Sequence, residues 1–155
     1  MATKGIKGFD ISGLKEVYKE LEITEEEIIK AARKGIKVLG QNIAGEAQKK
    51  CPVASGTLRR SIVVTNGSVT NFDDVYKQAK NGDENPKALS TKDPDTVVVS
   101  ANTPYALKQH EDPTLNHPKG GEAKYLESVF NEKVQDLENF VSTEVYKAMR
   151  RKYPS

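Results

Sequence analysis

The chain has few of the residues that usually stabilise a compact domain, and it lacks the marks of several protein classes. Its 155 residues include one cysteine and no tryptophan, and 36% of them are hydrophobic. A single cysteine excludes an internal disulfide, so the chain is compatible with a reducing compartment. No apolar run approaches the roughly 18 residues that a membrane-spanning helix needs, and the N-terminus lacks the apolar segment of a signal peptide. We therefore expect a soluble protein that is not exported and contacts no membrane.

The sequence shows no set of residues that is typical of an enzyme. It lacks a glycine-rich phosphate loop followed by lysine and serine or threonine, and no pair of carboxylates stands out. The two histidines, His110 and His117, match no zinc-binding spacing, and Cys51 lies far from both. We expect no catalysis, no cofactor and no bound metal. A hydrolase that uses Cys51 or His110 stays open as an alternative.

The clearest helical signal begins with a capping box formed by Thr24 and Glu27. Glutamates fill the first turn, where they complement the positive end of the helix dipole. Apolar residues then recur at spacings of three and four, which predicts one amphipathic helix from Glu25 to Lys50. This apolar stripe consists of Ile28, Ala32, Ile36, Leu39, Ile43 and Ala47. Three glycines inside the helix are either tolerated or let another element approach its backbone closely: Gly35, Gly40 and Gly45.

The segment from Cys51 to Thr65 marks the change from helix to sheet. Pro52 has no backbone N–H and disfavours helical angles at the preceding residue, so it ends the long helix. A short helical turn over residues 57–61 is followed by a β-branched strand, Ile62 to Thr65. A second strand, Thr96 to Ala101, should pair with it antiparallel. The apolar run in this second strand predicts burial on nearly both faces.

A second long amphipathic helix is predicted from Glu122 to Lys152, with basic residues at its C-terminal end. Residues 66–95 form a long polar connection that contains a short helix near Phe72, and residues 105–121 are predicted to be irregular. The expected fold class is α+β, with two long helices packed on a small antiparallel β-sheet, long loops and an N-terminal arm.

The N-terminal arm contains a predicted short helix, Leu14 to Leu21, with Ser12 as its cap. Its apolar residues could pack onto the same chain or onto a neighbouring subunit, and both alternatives stay open. These residues are Phe9, Ile11, Leu14, Val17, Tyr18 and Leu21. We expect one domain over residues 1–155, divided into the arm (1–23), a long helix (24–50), a turn, sheet and long loop (51–104), an irregular loop (105–121) and a C-terminal helix (122–152).

Residues 51–62 read C-P-V-A-S-G-T-L-R-R-S-I. With the long helix before them and the strand after them, they resemble the neck proteins of long-tailed phages, in which an apolar residue precedes P-V-D-T-G-x-L-R-x-S-I. These are the tail-completion or head–tail joining proteins, also labelled minor capsid or tail-component proteins. Here Ala54 replaces the acidic residue and Ser55 replaces the threonine. Further similarity lies in Tyr105-Ala106 with His110-Glu111 and in residues 120–126, so it extends from about Gly13 to the C-terminus.

This resemblance implies a structural virion protein that is located in the phage neck and assembled in the host cytoplasm. It implies a homo-oligomeric ring of six or twelve copies that joins the head connector or stopper protein to the tail terminator or tail tube, with transient passage of DNA. The candidate interface residues are Arg59, Arg60, Tyr105, His110, Glu111, Arg150 and Arg151.

The basic clusters also support a different class of function. Arg59 and Arg60, together with the basic end of the C-terminal helix, could contact phosphates in a nucleic-acid-binding domain, and such binding would depend on salt. The overall balance of 24 basic and 22 acidic residues does not by itself indicate nucleic-acid binding. Arginine pairs equally well with carboxylates across subunits, and we favour inter-subunit or head–tail contacts over DNA.

Overall fold

The computed structural model describes residues 23–152. The predicted helix from Leu14 to Leu21 and its cap lie outside the described residues. In chain order the elements are α1 (Glu25–Lys50), the short helix α2 (Thr57–Arg60), β1 (Ile62–Asn66), α3 (Phe72–Lys80), β2 (Val97–Ala101), α4 (Ala106–Glu111), α5 (Tyr125–Lys133), a 3-10 turn (Val134–Asp136) and α6 (Leu137–Lys152). The predicted α+β class is confirmed: a long helix and the C-terminal helices accompany a small antiparallel sheet.

Helix α1 begins and ends where the sequence predicts. The Glu27 N–H donates to the Thr24 hydroxyl at 3.2 Å, and the Glu27 carboxylate accepts the Thr24 N–H at 2.9 Å, so the capping box is complete. At the other end Cys51 is extended, with φ −68° and ψ 147°. Its N–H still donates to the Ala47 carbonyl at 2.8 Å, and Pro52 prevents the next turn.

The strands β1 and β2 pair antiparallel, as predicted, with Ile62 opposite Ala101 and Val64 opposite Val99. Val64, Val99 and Ala101 pack against the buried core. The prediction that β2 is buried on nearly both faces is wrong, because all five of its residues are half-buried. Within the described part of the chain the sheet has two strands, so one edge of β2 has no strand partner.

Two of the three glycines let α1 lie close to its neighbours on both sides. A Cβ atom on Gly35 would lie 2.7 Å from the Val141 Cα atom of α6, and a Cβ atom on Gly40 would lie 2.6 Å from Val97 Cγ1 of β2. Gly45 faces open space, so it is a tolerated glycine. Helix α1 therefore lies between the sheet and the C-terminal helices.

The predicted helix from Glu122 to Lys152 begins later and is interrupted. Lys124 has a positive φ of 58°, which a right-handed helix cannot contain, so α5 starts at Tyr125. The Lys124 N–H donates to the His110 carbonyl at 2.7 Å, which ties this turn to α4. The 3-10 turn then separates α5 from α6. The prediction that residues 105–121 are irregular is wrong over Ala106–Glu111, because α4 forms there.

Three clusters of buried apolar residues follow α1 along its length. The largest surrounds Cys51 and Tyr125 at the C-terminal end of α1, and both side chains are fully buried. The second joins α1 to Val129 of α5. The third places Ile23 and Ile28 against Val145 and Met149 of α6.

The long connection between the strands is held by hydrogen bonds. It contains the predicted short helix, α3, and an isolated antiparallel bridge between Val69 and Ser90. The Asn71 side chain accepts the Leu89 N–H at 2.6 Å and donates to the Lys87 carbonyl at 3.0 Å. These bonds keep residues 87–90 beside α3.

Candidate interaction surfaces

Two concave surfaces lie on opposite sides of α1. Ala32 and Ile36 line one surface, and Lys30 and Lys34 line the other. Each apolar residue follows a lysine by two positions, which is about 200° around an α-helix. The two surfaces therefore open in different directions, with α1 as the wall between them.

The first surface, which we call the apolar groove, has a volume of about 1380 Å³. Residues of α1 form its floor, β2 forms one wall, and the C-terminal helices together with α4 form the other. Its apolar and aromatic lining consists of Ala32, Ile36, Leu39, Ile43, Val97, Val98, Val99, Ala101, Ala106, Leu107, Tyr125, Leu126, Phe130, Val134, Leu137 and Val141. Leu107 is 74% exposed and Phe130 is 47% exposed, which is unusual for large apolar side chains grouped in one groove.

The charged residues that line the apolar groove are acidic. Asp95, Glu127 and Glu138 line it, and within residues 23–152 no lysine or arginine does. Arg33 binds Asp95 at 2.7 Å and Lys124 binds Glu127 at 3.0 Å. Glu138 has no ionic partner among the described residues, so it is available to a cation of an incoming chain.

The second surface, which we call the basic cleft, has a volume of about 970 Å³. Its cationic residues are Lys30, Arg33, Lys34, Lys37, Lys92, Lys147, Arg151 and Lys152. Two carboxylates line it, Glu27 and Glu144. Glu144 is 7% exposed and binds Lys147 at 2.9 Å and Lys34 at 3.0 Å, and these contacts lower its pKa. The excess of cations gives the cleft a positive potential.

The predicted basic clusters do not form one surface. Helix α6 runs antiparallel to α1, because Lys152 contacts Glu27 at the start of α1 while the beginning of α6 lies further along it. Arg150 and Arg151 thus lie near the N-terminal end of α1, and Arg59 follows its C-terminal end. Helix α1 has 26 residues, a length of about 39 Å. The two clusters therefore lie near opposite ends of α1 and do not combine into one compact basic patch.

Arg60 contacts its own chain. Its Nε donates to the Ala79 carbonyl of α3 at 2.8 Å, and its Nη2 donates to the Ser55 carbonyl at 3.2 Å. The side chain is 15% exposed and lies 3.6 Å from Glu84. Arg60 therefore joins the turn before α2 to α3, whereas its neighbour Arg59 is exposed.

Of the other predicted interface residues, Tyr105 and Arg150 are accessible. Tyr105 precedes α4 and is 37% exposed. The Arg150 guanidinium lies 5.8 Å from the ring centre of Tyr146, which is itself 60% exposed. Arg151 lines the basic cleft.

His110 and Glu111 join α4 to α5 through Lys124. The Lys124 ammonium binds Glu111 and, at 3.0 Å, Glu127, which raises its pKa and lowers that of Glu111. His110 Nδ1 lies 2.6 Å from Glu111 Oε1, and His110 Nε2 accepts the Glu127 N–H at 3.3 Å. These three ligand-type residues lie close enough to hold a metal ion, but Lys124 already supplies the cation between the carboxylates. The arrangement is that of an ion-pair network.

Cys51 has the environment of a structural thiol. It is fully buried and donates to the Gln48 carbonyl at 3.4 Å. Burial raises its pKa, which keeps it protonated at neutral pH. An activated nucleophile needs the opposite shift.

The sequence analysis identified neither concave surface. It predicted the apolar stripe of α1 without showing that Ala32 and Ile36 are only half-buried and line the apolar groove. The signal for the basic cleft was present, because Lys30, Lys34 and Lys37 recur at spacings of four and three on the other face of the helix.

Comparison with known proteins identifies a family. The model of the HK97-gp10-like family, described as a proposed tail component of bacteriophage HK97, matches residues 15–110. The match covers α1, the sheet and all but the last residue of α4, and it stops before α5 and α6. No curated protein and no solved structure matches the chain significantly. Within residues 23–152 no helix combines the length and apolar character that crossing a membrane requires.

Proposed function

Because this chain belongs to the HK97-gp10-like family, we propose that it is a neck protein that joins the phage head to the tail. Membership in a phage tail-component family supports a structural, virion-associated role. In the proposed role, copies of the chain form a ring between the head connector or stopper and the tail terminator or tail tube. Six or twelve copies would match the symmetry that the resemblance implies.

The apolar groove is the observation that carries this proposal. A groove of about 1380 Å³ with exposed Leu107 and Phe130 is a surface that a monomer would be expected to cover. A closed ring needs a head-to-tail contact, in which two different surfaces of the same chain meet. The apolar groove provides one such surface, on one side of α1.

The test is removal of the chain from its phage. In a phage whose gene for this chain is deleted, electron microscopy should show filled heads and separate tails, and expression of the intact chain in the host should restore joined particles. Joined, infectious particles in the deletion strain would refute the proposal. A capsid protein deletion, which yields no heads, is the control for general assembly failure.

The basic cleft favours a second candidate function, contact with DNA. Eight cations and two carboxylates line it, and four of the cations have no ion pair among the described residues: Lys30, Lys37, Lys92 and Arg151. Such a surface attracts phosphates, and each phosphate neutralised lowers the logarithm of affinity by about 0.9 per tenfold increase in salt.

This second function is tested by titrating double-stranded DNA at several salt concentrations. For the intact chain, the slope of the logarithm of affinity against the logarithm of salt concentration should correspond to several neutralised phosphates. The double variant Lys30→Gln, Lys37→Gln should reduce that number by about two. The variant Lys77→Gln, Lys80→Gln, which neutralises two exposed lysines on α3, is the matched control. Absence of binding at about 50 mM salt would eliminate this candidate.

A further inference from the structure

We propose that the apolar groove of one copy is filled by the N-terminal segment, residues 9–21, of a neighbouring copy. This inference rests on the proposed ring and names the contact between its subunits. The groove and the segment come from different parts of the chain, so the contact would be head-to-tail.

The dimensions of the two partners agree. From Ala32 to Ile43 the groove floor follows α1 for about 17 Å, at 1.5 Å per residue. The predicted helix from Leu14 to Leu21 would be about 12 Å long. The groove therefore has room for this helix and for part of the chain that precedes it, where Phe9 provides a further apolar side chain.

The chemistry of the two partners also agrees. Leu14, Val17, Tyr18 and Leu21 recur at helical spacing and would present one apolar face to the groove floor. Residues 9–21 carry two lysines, Lys15 and Lys19, and three carboxylates, Asp10, Glu16 and Glu20, so their net charge does not draw them to the acidic groove. The agreement is between two apolar surfaces, the helix face and the groove floor.

The path of the chain favours a neighbouring copy over the same copy. The described chain begins at Ile23, which is buried against Val145 and Met149 and lines the basic cleft. The attachment point of the preceding segment, Ile23, therefore lies on the side of α1 opposite to the groove. An attachment point on one side and a groove that opens on the other are the two distinct surfaces that a ring interface requires.

Disulfide cross-linking between differently tagged full-length chains tests this contact. One chain carries Leu14→Cys or Leu21→Cys, and the other carries Phe130→Cys or Leu107→Cys. After mixing and mild oxidation, we expect mixed disulfide dimers for at least one of the four pairs. The control replaces the groove cysteine with Leu89→Cys, at an exposed leucine outside the groove. Mixed with the chain that carries Leu14→Cys or Leu21→Cys, it should form no mixed dimer.

The native Cys51 should not compete, because it is fully buried and its pKa is raised. The inference is overturned if none of the four pairs forms mixed dimers above the Leu89→Cys control. It is also overturned if a chain that carries both cysteines forms only an intramolecular disulfide, since the segment would then fill its own groove. A strand from another virion protein in the groove would likewise leave the mixed pairs unlinked.

A second variant separates this inference from the proposed function. Phe130→Asp places a charge in the groove at a side chain that is 47% exposed, so folding should be retained, and Leu89→Asp is its matched control. We expect Phe130→Asp to abolish self-association in light scattering and Leu89→Asp to preserve it. If Phe130→Asp still assembles, the segment-in-groove contact is wrong while head–tail joining can stand. If the deletion phage assembles normally, the neck function is wrong whatever the cross-links show.

Discussion

Replacing Gly35 with alanine tests how closely α1 and α6 pack. The added Cβ would lie 2.7 Å from the Val141 Cα atom and 2.8 Å from the Phe140 carbonyl oxygen, both of which are backbone atoms. Backbone atoms cannot rotate away, so α6 as a whole must shift. Overpacking of this kind costs about 1–3 kcal/mol. Alanine in place of glycine recovers up to about 1 kcal/mol of helix propensity.

We therefore expect Gly35→Ala to lower the free energy of unfolding by about 1–2 kcal/mol. For a chain of this length that corresponds to a fall in Tm of about 2–8 °C. The assay is urea and thermal unfolding followed by circular dichroism. All variants must be compared at one protein concentration, because self-association would make Tm depend on concentration.

Gly45→Ala is the matched control on the same helix. No atom lies within 4 Å of the Cβ position at Gly45. The gain in helix propensity from glycine to alanine therefore meets no steric clash, and we expect the free energy of unfolding to rise by about 0.5–1 kcal/mol. Equal stabilisation by Gly35→Ala and Gly45→Ala would refute the close packing of α1 on α6.

Three further substitutions test other parts of the fold. Thr24→Ala removes the capping box and should lower the free energy of unfolding by about 1 kcal/mol in urea denaturation; no change would mean that the cap is not formed in solution. Glu144→Gln should lower Tm at neutral pH, because two lysine partners lower the pKa of the Glu144 carboxylate in the folded state. The difference in Tm between the variant and the original chain should shrink as pH falls through that lowered pKa. A difference in Tm that does not change with pH would contradict the stabilising role of this carboxylate. Tyr125→Phe removes a buried hydroxyl that has no hydrogen-bond partner among the described residues. The free energy of unfolding should therefore stay unchanged or rise by up to about 1 kcal/mol. A clear decrease would mean that the hydroxyl has a hydrogen-bond partner.

Local signals predicted the parts of the fold that depend on neighbouring residues. Thr24 and Glu27 are three residues apart, and Pro52 acts on the residue next to it, so the bounds of α1 follow from the sequence. The strands were found because β-branched residues favour extended backbone at each position. These features do not depend on what the rest of the chain does.

The failures arose where distant contacts decide the structure. The apolar spacing continues through Val134–Asp136, so it gave no sign of the 3-10 turn that separates α5 from α6. Lys124 adopts the left-handed conformation where its N–H donates to the carbonyl of His110, fourteen residues earlier in the chain. Helix α4 has six residues, too few to show a clear periodicity.

The candidate surfaces were hidden for a related reason. An apolar stripe shows which side of α1 avoids water, but not whether this chain or another covers it. Both Leu39 and Ile36 line the groove, but Leu39 is buried against α5 and α6 whereas Ile36 in the same stripe is only half-buried. Arg60 shows the reverse case, because a basic residue that suggests an external contact is bound to carbonyls of its own chain.

Cryo-electron microscopy of the neck in purified virions tests most directly whether copies of this chain form a ring at the head–tail junction through the apolar groove. We expect a closed ring of this chain, with helical density in each apolar groove that continues to Ile23 of the adjacent copy. Virions whose neck lacks this chain, or a ring in which the groove faces solvent, would contradict it.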